Sequence, residues 1–337
     1  MTIAVFGAGG VGAFYAGLLA RAGQDVRVVA RGPQLEALRT RGLRIESLAL
    51  GEITVPPMIA AADARDVGPA DLVLVAVKAH QTAGILDALA PLVGGGTMLM
   101  ALQNGVESDD VLAARFGAER VLSAVVYVGA TLEEPGLVRH VAAGTLVIGR
   151  SRRGPSDPRA GGSSDPRADE ALERVREALA STGLPVRVTP DIDRQRWHKL
   201  AWNASFNAIS ALTLRSTQDL LGSAPSRELL TGVMREVIAV AKARGIALGE
   251  ADLEQLVSAT EKAAPIRTSM LVDRERGRPM ETDALVGVVV RKGREHGVPT
   301  PLSSVLYALL TAIDLPRARS ETSHLPPMPA ETFSPQR

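Results

Sequence analysis

Three polar side chains four residues apart, Lys199, Asn203 and Asn207, stand in a stretch whose other large residues, Trp197, Leu200, Trp202, Phe206 and Ile209, are apolar. In an α-helix each step of four residues drifts by only about 40°, so the three polar heads line one face over about 12 Å. The apolar residues crowd the remaining surface and predict a helix that is largely buried. A Lys on such a helix needs an anion or a ligand, because burying an unpaired charge is costly; a solvated polar stripe is the plainer alternative. His198 reads as a partly exposed or structurally bonded side chain rather than a catalyst. Farther along, Ser269 lies in Thr268-Ser269-Met270 at the opening of a helix, which Gly277-Arg278-Pro279-Met280 breaks before Glu281 begins another. Glu281 is an anion of the kind a buried Lys199 needs, or simply a favourable charge at a helix start.

The chain start carries a second chemistry. An apolar strand at 2–6 runs into Gly7-Ala8-Gly9-Gly10-Val11-Gly12, a G-x-G-x-x-G spacing that opens an apolar helix. Gly7 permits the tight turn, Gly9 lets backbone approach a pyrophosphate, and Gly12 lets the helix pack closely on the sheet. Free N–H groups and the positive helix end, with Ala8, Gly10 and Val11 completing the loop, make an anion site for a dinucleotide. The acidic residue that would bind the ribose hydroxyls of NAD after the second strand is missing, and Arg31 follows Val28-Val29-Ala30 instead. A guanidinium there pairs with the 2′-phosphate of NADP, which a carboxylate would repel, so the cofactor expected is NADP. A solvated Arg31 in the Gly32-Pro33 loop is the alternative. Lys78 and Asn104 each follow an apolar strand at what should be the ligand-binding carboxyl edge of the sheet, and each read alone could be a surface loop residue.

These groups need a scaffold, and the sequence predicts an α/β one. Strands are expected at 2–6, 25–30, 71–77, 97–101, 121–128 and 146–148, with helices at 11–22, 34–41, 82–92 and 108–116 between them. This alternation reads as an N-terminal Rossmann-like, doubly wound sheet of mostly parallel strands. Residues 151–168, with two copies of Ser-Asp-Pro-Arg-Ala, predict a flexible insertion closing a first domain at 1–168. A helix at 169–181 and a short strand at 186–188 follow, and from 189 to 310 the pattern is almost entirely helical. The second domain is therefore expected to be all-helical, at 169–314, with a disordered tail at 315–337.

Composition narrows the class. The chain has 337 residues, enough for two domains at about 150 each. Lys plus Arg (38) nearly cancels Asp plus Glu (37), which gives no electrostatic case for a nucleic acid partner. The absence of Cys excludes a disulfide scaffold, thiolate metal sites and cysteine nucleophiles, and no metal site is expected. No apolar run approaches the roughly 18 residues that span a bilayer, and the first residues lack a signal peptide's pattern, so a cytoplasmic protein is expected.

Together the motifs resemble the ketopantoate reductase family, whose members reduce 2-dehydropantoate to pantoate with NADPH. The resemblance covers residues 1 to about 312. It rests on the opening glycine motif, Val77-Lys78, Leu102-Gln103-Asn104-Gly105, Trp197-x-Lys199-Leu200-x-x-Asn203-x-x-x-Asn207, and Thr268-Ser269-Met270 with Glu281 twelve residues after the Ser. It implies that Lys199 is the catalytic proton donor and that Asn203, Asn207 and Ser269 bind substrate. It places Asn104 between cofactor and substrate, Lys78 and Glu281 at the NADPH end, and the site in the cleft between a Rossmann domain and a helical one. The chain departs from the family where many members carry a further substrate-binding Asn and it reads Arg215-Ser216-Thr217-Gln218, and where Ala208 replaces a frequent Pro. Two other readings stand beside this one: an NADP-dependent reductase of another small branched 2-oxo acid, and a non-catalytic NADP(H) sensor. A homodimer is possible in either case.

Overall fold

The structure, a computed structural model, describes residues 1–151 and 166–315. The expected insertion and tail fall mostly outside these described residues. The order is β1 (Thr2–Phe6), α1 (Gly10–Arg21), β2 (Asp25–Val29), α2 (Gly32–Thr40), β3 (Leu43–Ser47), β4 (Gly51–Val55), β5 (Ile59–Ala61) and β6 (Ala70–Val75). Then come α3 (Leu86–Leu89), β7 (Val93–Ala101), α4 (Ser108–Phe116), β8 (Val121–Glu134), β9 (Leu137–Gly149), α5 (Pro166–Ala180) and β10 (Val186–Val188). The rest is helical: α6 (Ile192–Trp202), α7 (Ala208–Thr213), α8 (Thr217–Leu221), α9 (Ala224–Ala243), α10 (Glu250–Lys262), α11 (Ser269–Glu275), α12 (Val288–Glu295) and α13 (Pro301–Asp314).

The expected Rossmann-like sheet is present, with β5, β2, β1, β6, β7 and β8 side by side and all parallel. Its central strands bury both faces, which is why β1 and β6 read as unbroken apolar runs. Past β8 the sheet continues as a mixed extension of antiparallel and parallel pairs. β8 and β9 form a long hairpin, β3 pairs parallel with β9 and antiparallel with β4, and β10 adds to the far end of β9. The hairpin closes at Pro135-Gly136, where Gly136 takes φ 85°. Pro fixes the first turn position, and a left-handed second position favours Gly.

The expected domain boundary also moves. Residues 169–188, assigned above to the helical domain, pack on the sheet: Ala171, Val175, Ala178 and Leu179 of α5 and Leu184 join the core that holds Phe14, Leu72 and Leu146. A separate core begins at Trp197 and gathers Phe206, Leu230, Val233, Val237, Leu285 and Leu310 from the C-terminal helices. Packing thus divides the chain after β10 rather than at 168. A buried cluster ties the halves together: Arg196 of α6 pairs with Asp109 of α4 at 3.3 Å and with Asp193 at 3.5 Å, and Ser151 donates to Asp193 at 2.6 Å.

Among the described residues no helix is long and apolar enough to cross a membrane, and no group of His, Asp or Glu is arranged to hold a metal ion.

Candidate active site

The four glycines of the motif have different steric surroundings. Gly7 has φ 101°, and a Cβ there would lie 2.8 Å from the Val77 side chain, so turn and packing both require Gly. A Cβ on Gly12 would fall 1.9 Å from the Gly7 carbonyl oxygen and 2.9 Å from Ala76, which records how closely α1 lies on β1 and β6. A Cβ on Gly10 would strike the Ala130 carbonyl of β8 at 2.3 Å, whereas Gly9 faces open space. Gly9 caps α1, whose first turn holds no acidic residue, so its N–H groups and dipole face a cleft with no carboxylate of their own helix. That cleft, about 370 Å³, runs from Gly7, Gly9, Gly10 and Val11 past Lys78 to Asn104, Ser269 and Glu281. An open, glycine-floored, elongated cleft at a helix N-terminus fits a dinucleotide pyrophosphate. Ala8, by contrast, is buried in the sheet core.

Beyond Asn104 the cleft opens into a second cavity of about 410 Å³, lined by Lys199, Asn203, Asn207 and Ser269 on the polar side. Asn104 and Ser269 line both spaces. The polar stripe is real, and part of it lies on a turn wider than an α-helical one: residues Asn203–Asn207 form a π-turn between α6 and α7. The wider turn sets consecutive fourth residues closer to one line, and Asn207 Nδ2 donates to Asn203 Oδ1 at 3.1 Å. Asn207 Oδ1 in turn accepts from Ser269 Oγ and from the Met270 N–H, each at 3.4 Å.

Lys199 Nζ donates to the Val126 carbonyl at 2.6 Å and to Asn104 Oδ1 at 3.0 Å, and lies 5.6 Å from the centre of the Tyr127 ring. The protein packed around the ammonium pushes its pKa down from 10.5 to about 8, the negative Glu281 opposing part of that fall. Glu281 is buried, accepts from Asn104 Nδ2 at 3.2 Å and from the Ala79 N–H at 3.1 Å, and lies 3.8 Å from Lys78 Nζ. A relay therefore runs from Lys199 through Asn104 to Glu281 and joins the two halves of the chain. Lys78 reaches farther, to the buried Asp273 of α11 at 2.6 Å, which also pairs with Arg278 at 3.2 Å.

Of the residues singled out from sequence, the structure brings together Lys199, Asn104, Asn203, Asn207, Ser269, Lys78, Glu281 and the glycine turn. Arg31 lies apart, in a third cleft of about 350 Å³ at the carboxyl ends of β1, β2 and β5. Tyr127, Asp273 and Arg278 were not anticipated, since each depends on strand register or helix docking that spacing does not encode. His198 lines this second cavity, its Nε2 buried and without a hydrogen-bond partner among the described residues, and burial lowers its pKa. Where a further Asn was expected by resemblance, Gln218 instead donates to the Thr260 and Ala263 carbonyls, fixing the cavity wall.

Two sequence models of one family cover the chain: "Ketopantoate reductase PanE/ApbA" matches residues 3–153, and its C-terminal counterpart matches 191–314. A 2-dehydropantoate 2-reductase of Mesorhizobium japonicum is 34% identical over 94% of this chain and 99% of its own length. The crystal structure of 2-dehydropantoate 2-reductase from Geobacter metallireducens superposes with a TM-score of 0.84 at 33% identity, covering 93% of this chain and 99% of that one. A D-mandelate dehydrogenase, solved with NADH and anilino(oxo)acetate, shares the fold at TM-score 0.82 and 21% identity, covering 93% and 98% of the two chains.

Proposed function

The chain belongs to the ketopantoate reductase family, and from that premise we propose that it is an NADP-dependent oxidoreductase that reduces 2-dehydropantoate to pantoate, a step of pantothenate synthesis. The observation that carries this reading is a desolvated lysine ammonium where a glycine-floored dinucleotide cleft meets a cavity lined by amides and a hydroxyl. NADPH would lie along the cleft, with the turn Gly7 to Gly12 at its pyrophosphate, Arg31 at its 2′-phosphate, and Lys78, Asn104 and Glu281 at the nicotinamide half. Bound there, it supplies the hydride.

Lys199 acts at the carbonyl oxygen of the 2-oxo acid. Its ammonium donates a hydrogen bond to that oxygen and gives it a proton as charge develops, help that typically contributes about 10²–10⁴-fold. A pKa near 8 leaves Lys199 mostly protonated at neutral pH yet a readier donor than an ordinary lysine. Asn104 orients the ammonium, and Glu281 fixes the Asn104 amide through its Nδ2. Asn203, Asn207 and Ser269 hold the substrate's carboxylate and hydroxyl, which sets the ketone against Lys199.

An assay of NADPH oxidation with ketopantoate, 2-oxoisovalerate and related acids, with NADH as cofactor control, tests the reading. Ketopantoate with NADPH is expected to be preferred by orders of magnitude, because a site built for the 4-hydroxyl penalises its loss. Equal turnover of acids lacking that hydroxyl favours the branched-acid alternative, and NADPH binding without turnover of any of them favours the sensor. A cytoplasmic location is part of the same proposal. A homodimer is proposed through α13, where Val305, Leu309 and Ile313 repeat every fourth residue and are 59%, 50% and 39% exposed.

A further inference from the structure

The cleft that holds Arg31 contains a carboxylate that ought to defeat it. β2 and β5 are parallel, with Val29 in register with Ala61 and the Ala30 N–H bonded to the Ala61 carbonyl at 2.9 Å. Two residues beyond that pair, Arg31 and Asp63 leave adjacent strands at the same level, and both line the cleft. An acidic side chain at this edge is what a dinucleotide fold offers to ribose hydroxyls, and it repels a 2′-phosphate. Left to itself, Asp63 would also be a natural salt-bridge partner for Arg31.

The observed pairing is different. Asp63 caps a short 3₁₀ turn at Ala64–Asp66, and its Oδ1 accepts from the Arg65 N–H at 2.9 Å and from Arg65 Nε at 3.0 Å. Its Oδ2 accepts from Arg65 Nε at 3.0 Å and from Nη2 at 2.5 Å. The guanidinium holds the carboxyl down to about 2, well below the usual carboxylate range. Asp87, a second carboxylate on the rim, faces Arg115 at 3.5 Å. Among the described residues, no ion pair or side-chain hydrogen bond engages the Arg31 guanidinium. The cleft is thus arranged so that its carboxylates are answered by arginines other than Arg31.

We propose that Arg65 is a specificity-determining residue that masks Asp63, leaving Arg31 free for the 2′-phosphate of the cofactor and sparing that phosphate a facing carboxylate. The inference rests on the NADPH reading above and adds to it a residue four positions past the end of β5 that recognition motifs do not cover. The role is electrostatic and indirect: the Arg65 fork is committed to Asp63. Removing Arg65 should therefore harm phosphate recognition only while Asp63 remains.

Calorimetric titration with 2′,5′-ADP, and with 5′-ADP as the probe lacking the 2′-phosphate, tests this without turnover. Arg65→Ala is expected to weaken 2′,5′-ADP binding by about tenfold, which corresponds to about 1.4 kcal/mol, and to leave 5′-ADP binding within about twofold. The double variant Arg65→Ala/Asp63→Ala is expected to recover to within about threefold of the original affinity. No loss in the single variant, or no recovery in the double one, overturns the masking role; the second outcome would make Arg65 a direct phosphate ligand. Arg31→Ala separates the two readings. If it leaves 2′,5′-ADP binding unchanged, the Arg31 assignment falls and the proposal with it, whereas a failure of masking alone leaves the Arg31→Ala loss intact.

Discussion

Lys199 shows how one side chain's surroundings become chemistry. Its amine is surrounded by a carbonyl, an amide oxygen and an aromatic face, so charge is tolerated but no longer favoured as it is in water. The folded chain consequently holds this proton less firmly than the unfolded chain does. The group therefore costs stability below about pH 8, and that cost disappears as pH rises from about 8 toward 10.5. Activity runs the other way, because the donor must be protonated: kcat/KM for the 2-oxo acid should fall as pH rises through about 8. A pH profile that shows this limb in the native enzyme and loses it in Lys199→Gln would agree; a limb near 10.5 would not. The identity and spacing of Lys199, Asn203 and Asn207 were legible in the sequence because helical periodicity is local. The Val126 carbonyl and Tyr127 ring were not, since they arrive from a strand more than seventy residues earlier whose register depends on the whole sheet.

Elements, rather than single residues, set the shape of the cofactor cleft. The glycine turn was readable because each glycine answers a steric demand, and the demands separate in a testable way. Gly12→Ala forces a methyl into the Gly7 carbonyl and Ala76, so it should destabilise the fold by about 1–3 kcal/mol, seen as a lower Tm, and impair NADPH binding. Gly9→Ala meets open space and should leave Tm unchanged while weakening NADPH binding by filling the room the pyrophosphate needs. Equal effects of the two changes on Tm would contradict this division. The long β8–β9 hairpin was missed although its turn is written as Pro135-Gly136, because strands that alternate only partly, with three register shifts, do not announce their length. The short strands β3, β4 and β5 escaped for a related reason: at three to five residues each, their propensity is weaker than the pairing that forms them.

Across the whole molecule, a sheet half and a helical half meet at a seam, and the proposed chemistry lies on it. The division into a sheet half and a helical half was visible in the change of periodicity, but its position was not, because α5 and β10 are assigned by what they pack against. Glu281, Asp273 and Lys199 come from the helical half; Lys78, Asn104 and the glycine turn come from the sheet half. Cofactor affinity and proton donation should therefore be separable, since Lys199 is held by the substrate-side helix and does not line the glycine cleft. The most direct measurement compares native enzyme with Lys199→Ala for two quantities: the NADPH Kd by fluorescence titration, and kcat for ketopantoate reduction. The expected result is a fall in kcat of about 10²–10⁴-fold with Kd within a few-fold of native. Near-native turnover by the Lys199→Ala enzyme would contradict the assignment of Lys199 as proton donor.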